Sequence, residues 1–177
     1  MILLGLLKLA RGDKAGIAEF GNSEPAFTAS LAPLIAFPLV GAALTALSGD
    51  WKSAALGLLA RLSAVLALPV ITYEFAARTG HAGTWLRTAT ALNWSFWVII
   101  PLLLLASFAG AGLFVAGLPM HAVITVIFGV LAAYLLWYHW IIVRAGLMLP
   151  AGQAALLVGL IGAAITLCTA GQLLVAG

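Results

Sequence analysis

Residues 88–117 read TATALNWSFWVIIPLLLLASFAGAGLFVAG, a run without one charged side chain. About 20 apolar residues in a helix cross the hydrocarbon core of a bilayer. This run exceeds that length, so it is expected to tilt or to project beyond the membrane. Pro101 lacks the N–H that an i→i−4 bond requires, and is expected to kink it.

Four further apolar stretches flank it, at 27–47, 54–76, 122–143 and 153–176. The gaps are short. Ser48 to Ser53 makes the first turn, a polar segment with Arg78, His81 and Arg87 the second, Leu118-Pro119-Met120 the third, and residues 146–152 the fourth. The sequence therefore predicts an all-α integral membrane bundle of five transmembrane helices. Composition agrees. Of 177 residues, 64% are hydrophobic and 7% charged. A soluble domain carries roughly 25% charged residues to face water. Within these 177 residues no separate soluble domain is expected.

Residues 1–26 read as a short amphipathic N-terminal segment at the interface, and 27–177 as the five-helix transmembrane domain. Met1-Ile2-Leu3-Leu4 precedes Lys8, Arg11 and Lys14, the reverse of the charge-then-apolar order of a secretory signal. The leucines are expected to dip into the acyl boundary while the basic residues meet anionic headgroups. Asn22 or Ser23 can cap the first span, with Pro25 in its first turn. Pro33, Pro38 and Pro69 lie inside spans one and two, and the clearest departure from a regular ladder is expected at Pro33–Pro38.

Basic residues fix an orientation. Lys8, Arg11, Lys14, Arg78, Arg87 and Arg144 fall on the starting side, and Lys52, with Arg61 if it reaches outward, on the other. The positive-inside rule puts the N-terminus in the cytoplasm and the C-terminus in the periplasm of a cell inner membrane. Tyr73, Trp85, Trp94, Trp97, Tyr134, Trp137, Tyr138 and Trp140 fall in the inner half, as an aromatic belt would. Only Trp51 marks the outer side. The net charge of +3 comes from eight basic and five acidic residues with no basic run interleaved with aromatics, so nucleic acid is not an expected partner. The lone Cys168 excludes an intramolecular disulfide. An odd span count with no internal repeat argues against a simple inverted duplication.

Motifs for enzymes are missing: no His-Glu-x-x-His, no cysteine pair, no phosphate loop and no Gly-x-Ser-x-Gly. No enzymatic activity, metal or cofactor is expected. The polar residues that could carry chemistry are Glu74, Asn93, His139 and Arg144, with Arg78 beside them. All fall near the inner ends of spans two to four. Two readings stand. In one they form a polar pocket for an ion, a proton or a small polar molecule. In the other Glu74 pairs with Arg78 at i+4, Asn93 bonds across helices and His139 is interfacial. Arg61 lies a turn or two below the outer interface and either lines an outer cavity or snorkels to water. Tyr134, Trp137 and Tyr138 share one helix face, as belt residues or as a site for a flat or cationic ligand. Ala155, Gly159 and Ala163 on span five, and Gly112 and Ala116 on span three, form small-residue faces suited to packing or self-association.

The second half of the chain resembles the Yip family of small five-span membrane proteins, bacterial members included. The resemblance covers residues 83–167. It begins at Thr84-Trp85-Leu86-Arg87, continues through Ala91-Leu92-Asn93-Trp94 to Pro101-Leu102-Leu103, and takes in residues 134–140, Ala145-Gly146-Leu147 and Gln153-Ala154-Ala155. Glu24-Pro25 before span one adds a thinner match. The resemblance implies a five-helix bundle with a cytoplasmic N-terminus. Eukaryotic relatives are associated with vesicle traffic and Rab-class GTPases; their long soluble N-terminal region has no counterpart in these 177 residues, so that role is not expected here. A tryptophan-rich, porphyrin-binding five-span family is the rival, but its Pro- and Trp-rich first loop has no counterpart in Ser48–Ser53. Two roles follow as expectations: a non-enzymatic membrane protein acting through helix or partner contacts, including self-association, within the lipid bilayer; or a small transporter or channel for an ion or small polar molecule. They differ in whether Glu74, Asn93, His139 and Arg61 surround one water-filled cavity.

Overall fold

The computed structural model describes the backbone of residues 2–176 and the side chains of residues 2–168 and 170. Seven α-helices follow one another: α1 (Ile2–Ala10), α2 (Glu24–Leu47), α3 (Trp51–Arg78), α4 (Trp85–Ser95), α5 (Ile99–Val115), α6 (Met120–Gly146) and α7 (Ala151–Ala176). A 3-10 turn at Lys14–Glu19 follows α1, and another at Phe96–Val98 joins α4 to α5. No strand occurs among the described residues. Five segments are long and apolar enough to cross a membrane: α2, α3, the composite Ala82–Val115, α6, and α7 as far as Cys168. The chain is a multi-pass helical membrane bundle. We call the end that carries α1, Arg78, Arg87 and Arg144 the basic end, and the other the Trp51 end.

Helix starts follow capping chemistry. Ser23 caps α2 by accepting from the Ala26 N–H, with Pro25 in the first turn. Asp50 caps α3 by accepting from the Ser53 N–H at 2.9 Å, and bonds from Ser53 hold its carboxyl below the usual range. That cap starts α3 at Trp51, three residues earlier than the hydropathy suggested. Asn22 does something sequence reading missed. Its Oδ1 accepts from the Arg87 N–H at 3.1 Å, and its Nδ2 donates to Gly83 O at 3.0 Å. Thr84 at the start of α4 supplies no side-chain cap, so a residue far away in sequence caps that helix instead.

The clearest departure from a regular ladder falls elsewhere than at Pro33–Pro38. The α-helix runs unbroken through Pro33 and Pro38 in α2 and through Pro69 in α3. The interruption falls at Phe96–Val98, immediately upstream of Pro101. Pro101 offers no N–H to Trp97 O, and its ring crowds that carbonyl, so the ladder there shifts to tighter i→i+3 bonding. In α2 each proline simply deletes one bond from a long helix.

The core occupies the basic half of the bundle. Leu68, Thr72 and Ala76 of α3, residues 88–93 of α4, residues 141–143 of α6 and Ala154, Leu157 and Val158 of α7 are buried together. Toward the Trp51 end the helices expose large apolar side chains such as Leu47, Leu59, Phe108 and Val115, and α5 buries no residue at all. Those surfaces suit lipid as their solvent.

The N-terminal segment shares this core. Leu6, Leu9 and Phe20 pack with Tyr138, Ile141 and Leu92, so one core crosses the boundary expected at residue 26. Leu3, Leu4 and Leu7 face outward. A helix apolar on both sides, with protein against one, has lipid as the fitting neighbour for the other. The α1 segment and the following turn form a tight hairpin: a Cβ on Gly16 would come within 2.7 Å of Gly5 O. Gly12, at φ +82°, closes α1, with Asp13 N–H donating to Lys8 O and Gly12 N–H to Leu9 O at 2.9 Å each. Lys8 turns inward along the hairpin and pairs with Glu19 at 2.8 Å. The Lys8 ammonium beside it pulls the Glu19 carboxyl down to about 2.

Candidate functional site

Each of the four polar residues singled out in the sequence has its own local setting. Glu74, near the end of α3, accepts from Arg78 Nη2 at 3.4 Å, one turn on, and both side chains are exposed. Asn93 of α4 is 1% exposed; its Nδ2 donates to Ser30 Oγ of α2 at 2.9 Å, and its Oδ1 has no partner. Ser30 in turn donates to Phe27 O at 2.6 Å. His139 of α6 sits with Nδ1 at 2.7 Å from Leu135 O and Nε2 at 3.3 Å from Ser95 Oγ. Arg144 stacks its guanidinium over Trp140 at 5.0 Å. No hydrogen bond or ion pair joins any of the four to another among the described residues.

The cavities tell the same story. His139 borders an apolar space of about 350 Å³ between α3, the start of α5, α6 and α7. Arg61 borders a second, of about 450 Å³, between α2, α3 and the start of α5. Glu74 and Asn93 line neither. The linings are aliphatic and aromatic, so neither is a hydrophilic chamber. Since Glu74 sits in an exposed pair, Glu74→Gln is expected to leave membrane insertion intact and stability within about 0.5 kcal/mol, read by thermal melting of the purified protein. Collapse of the bundle in that variant would show that Glu74 has a structural partner deeper in the fold.

Tyr134 and Tyr138 have a role that the belt reading did not contain. Tyr138 is fully buried, and its hydroxyl donates to Leu6 O at 3.4 Å. The Tyr134 hydroxyl donates to Ala10 O at 2.9 Å, satisfying a carbonyl that the end of α1 leaves open. Trp137, on the same face, covers Gly12. The three aromatics fasten the N-terminal hairpin to α6. Trp85 is also a fastener, with Nε1 donating to Pro69 O at 3.0 Å, and Trp140 Nε1 reaches Ala151 O at 3.0 Å to close the last turn.

Arg61 lies well inside α3. Ten residues of α3 precede it, about 15 Å of helix, because Asp50 starts that helix early. Its side chain runs across to α2, where a Cβ on Gly41 would meet Nη1 at 2.9 Å. Gly41 is only about 9 Å from the Leu47 end of α2. The guanidinium thus leans toward the Trp51 end, as snorkelling requires. It nevertheless also lines the cleft, so the two readings of Arg61 coexist.

The small-residue face of α7 is free. Ala155, Gly159 and Ala163 are exposed, because α7 uses Ala154, Leu157, Val158 and Ile161 to pack on the bundle. Compared with known protein families, with curated proteins and with solved structures, the chain matches none.

Proposed function

We propose that the chain is a non-enzymatic, multi-pass inner-membrane protein of the Yip-like kind, acting through contacts its helices make in the bilayer with lipid, with a membrane partner or with a second copy. The N-terminus and the basic end lie in the cytoplasm, and the C-terminus in the periplasm. The observation that carries this reading is the dispersal of the polar side chains. Glu74 is held by Arg78, Asn93 by Ser30, His139 by Leu135 O and Ser95, and Arg144 by Trp140. A transporter or channel needs such groups around a common wet path. These face different neighbours, and the one of the four that borders a cavity, His139, borders an apolar one. The exposed Ala155–Gly159–Ala163 face supports the contact role, since small residues let helices approach closely.

The test is a flux measurement. Proteoliposomes carrying the protein and a trapped pH or cation reporter are expected to leak no faster than protein-free vesicles. Flux above that level that Glu74→Gln or His139→Gln abolishes would overturn the proposal and make the inner-end residues a transport site.

A further inference from the structure

Arg61 stands alone in the cleft it borders. The walls are Pro33, Phe37 and Pro38 of α2, Trp97 of the 3-10 turn, Ile100 at the start of α5, and neighbouring aliphatic groups. Arg61 is its one charged member. Phe37, Trp97 and Ile100 are exposed, so the cleft opens sideways toward the lipid. Its volume of about 450 Å³ falls within the roughly 300–1,000 Å³ of small-molecule sites.

The charge has no counter-ion in the chain among the described residues. Glu74 pairs with Arg78 and Glu19 with Lys8, both at the basic end. Asp13 and Glu24 belong to that same end, and Asp50 caps α3. A cation held at this depth is costly unless paired. Its head lies against α2 all the same. Gly41 is the single glycine of α2, and the guanidinium occupies the room that a side chain there would fill. An open apolar cleft beside an unpaired guanidinium fits an amphiphile whose tail is apolar and whose head is an anion.

We propose that this cleft holds an acyl chain of an anionic phospholipid, with the phosphate paired to Arg61. Arginine is suited to the pairing because its planar fork meets two phosphate oxygens at once. The lean of the side chain toward the Trp51 end brings the guanidinium up toward the headgroup level while the acyl chain runs down between α2 and α5. The site goes beyond the contact role proposed above and rests only on the bilayer placement of α2 and α3. Failure here leaves the flux result untouched, and the reverse holds too.

Native mass spectrometry of the delipidated protein, titrated with phosphatidylglycerol or with phosphatidylcholine of the same acyl chains, tests it. The expected result is one tightly held phosphatidylglycerol, preferred by about tenfold or more, as for one charge-assisted hydrogen bond. Arg61→Gln should reduce that preference to near unity. Gly41→Leu, which fills the guanidinium's place while keeping the charge, should weaken it independently. Lys52→Gln, a surface cation on the same side, should leave it unchanged. Equal binding of the two lipids by the wild type would overturn the proposal, as would an undiminished preference in Arg61→Gln. A stable dimer that excludes lipid from the cleft would overturn it in favour of a second copy as occupant.

Discussion

Tyr138→Ala is expected to detach the N-terminal hairpin and to lower stability by about 3–5 kcal/mol, the cost of deleting a large buried aromatic side chain. The ring is fully buried and stacks at 6.1 Å on Tyr134, which holds Ala10 O. Its loss opens a cavity where α1, α4 and α6 meet. Two readouts separate the parts of the effect: thermal melting reports the bundle, and limited proteolysis between Arg11 and Glu19 reports the hairpin. Tyr138→Phe keeps the ring and gives up only the 3.4 Å bond to Leu6 O, so its cost is expected near ~1 kcal/mol or less. Equal losses in the two variants would mean that the hydroxyl, not the packing, holds the hairpin.

Gly146→Leu is the second large effect. Gly146 ends α6 directly against α4. A Cβ placed there falls on the Thr88 hydroxyl and lies 2.9 Å from both Thr88 Cβ and Cγ2. Thr88 itself is buried and donates to Thr84 O at 3.0 Å, so it has little freedom to move aside. Forcing a side chain into such a contact costs typically ~1–3 kcal/mol. Gly146→Ala is expected to show the same sign with a smaller loss. Thr88→Ala combined with Gly146→Ala should recover part of that loss, since two residues in contact do not act additively. Strict additivity in melting experiments would show that α4 and α6 are not apposed at this point.

The spans were legible because long apolar runs need only a count. Their ends were less so, since caps such as Asp50 lie outside the hydropathy signal and extend a helix by several residues. The distance between Asn22 and Arg87 explains why the cap on α4 escaped notice: nothing local marks a residue that serves another helix. Tyr134 and Tyr138 show a different limit. Belt aromatics and hairpin fasteners are the same residue types at the same depth, and only the partner carbonyls on α1 tell them apart. The helix gave way to a 3-10 turn upstream of Pro101 and not at Pro33 or Pro38, because spacing along a sequence does not reveal how a helix absorbs a lost bond. Of the polar residues, the Glu74–Arg78 pair was readable from i, i+4 spacing. That Asn93 would meet Ser30 was not, because it depends on how α2 crosses α4.

Topology mapping tests the account most directly, because the five-span bundle, its orientation and the placement of every polar residue depend on it. A reporter fused after Gly177 is expected to be periplasmic, and one inserted at His81, beside the basic residues Arg78 and Arg87, cytoplasmic. A cytoplasmic C-terminus, or a His81 reporter on the outer side, would contradict the account.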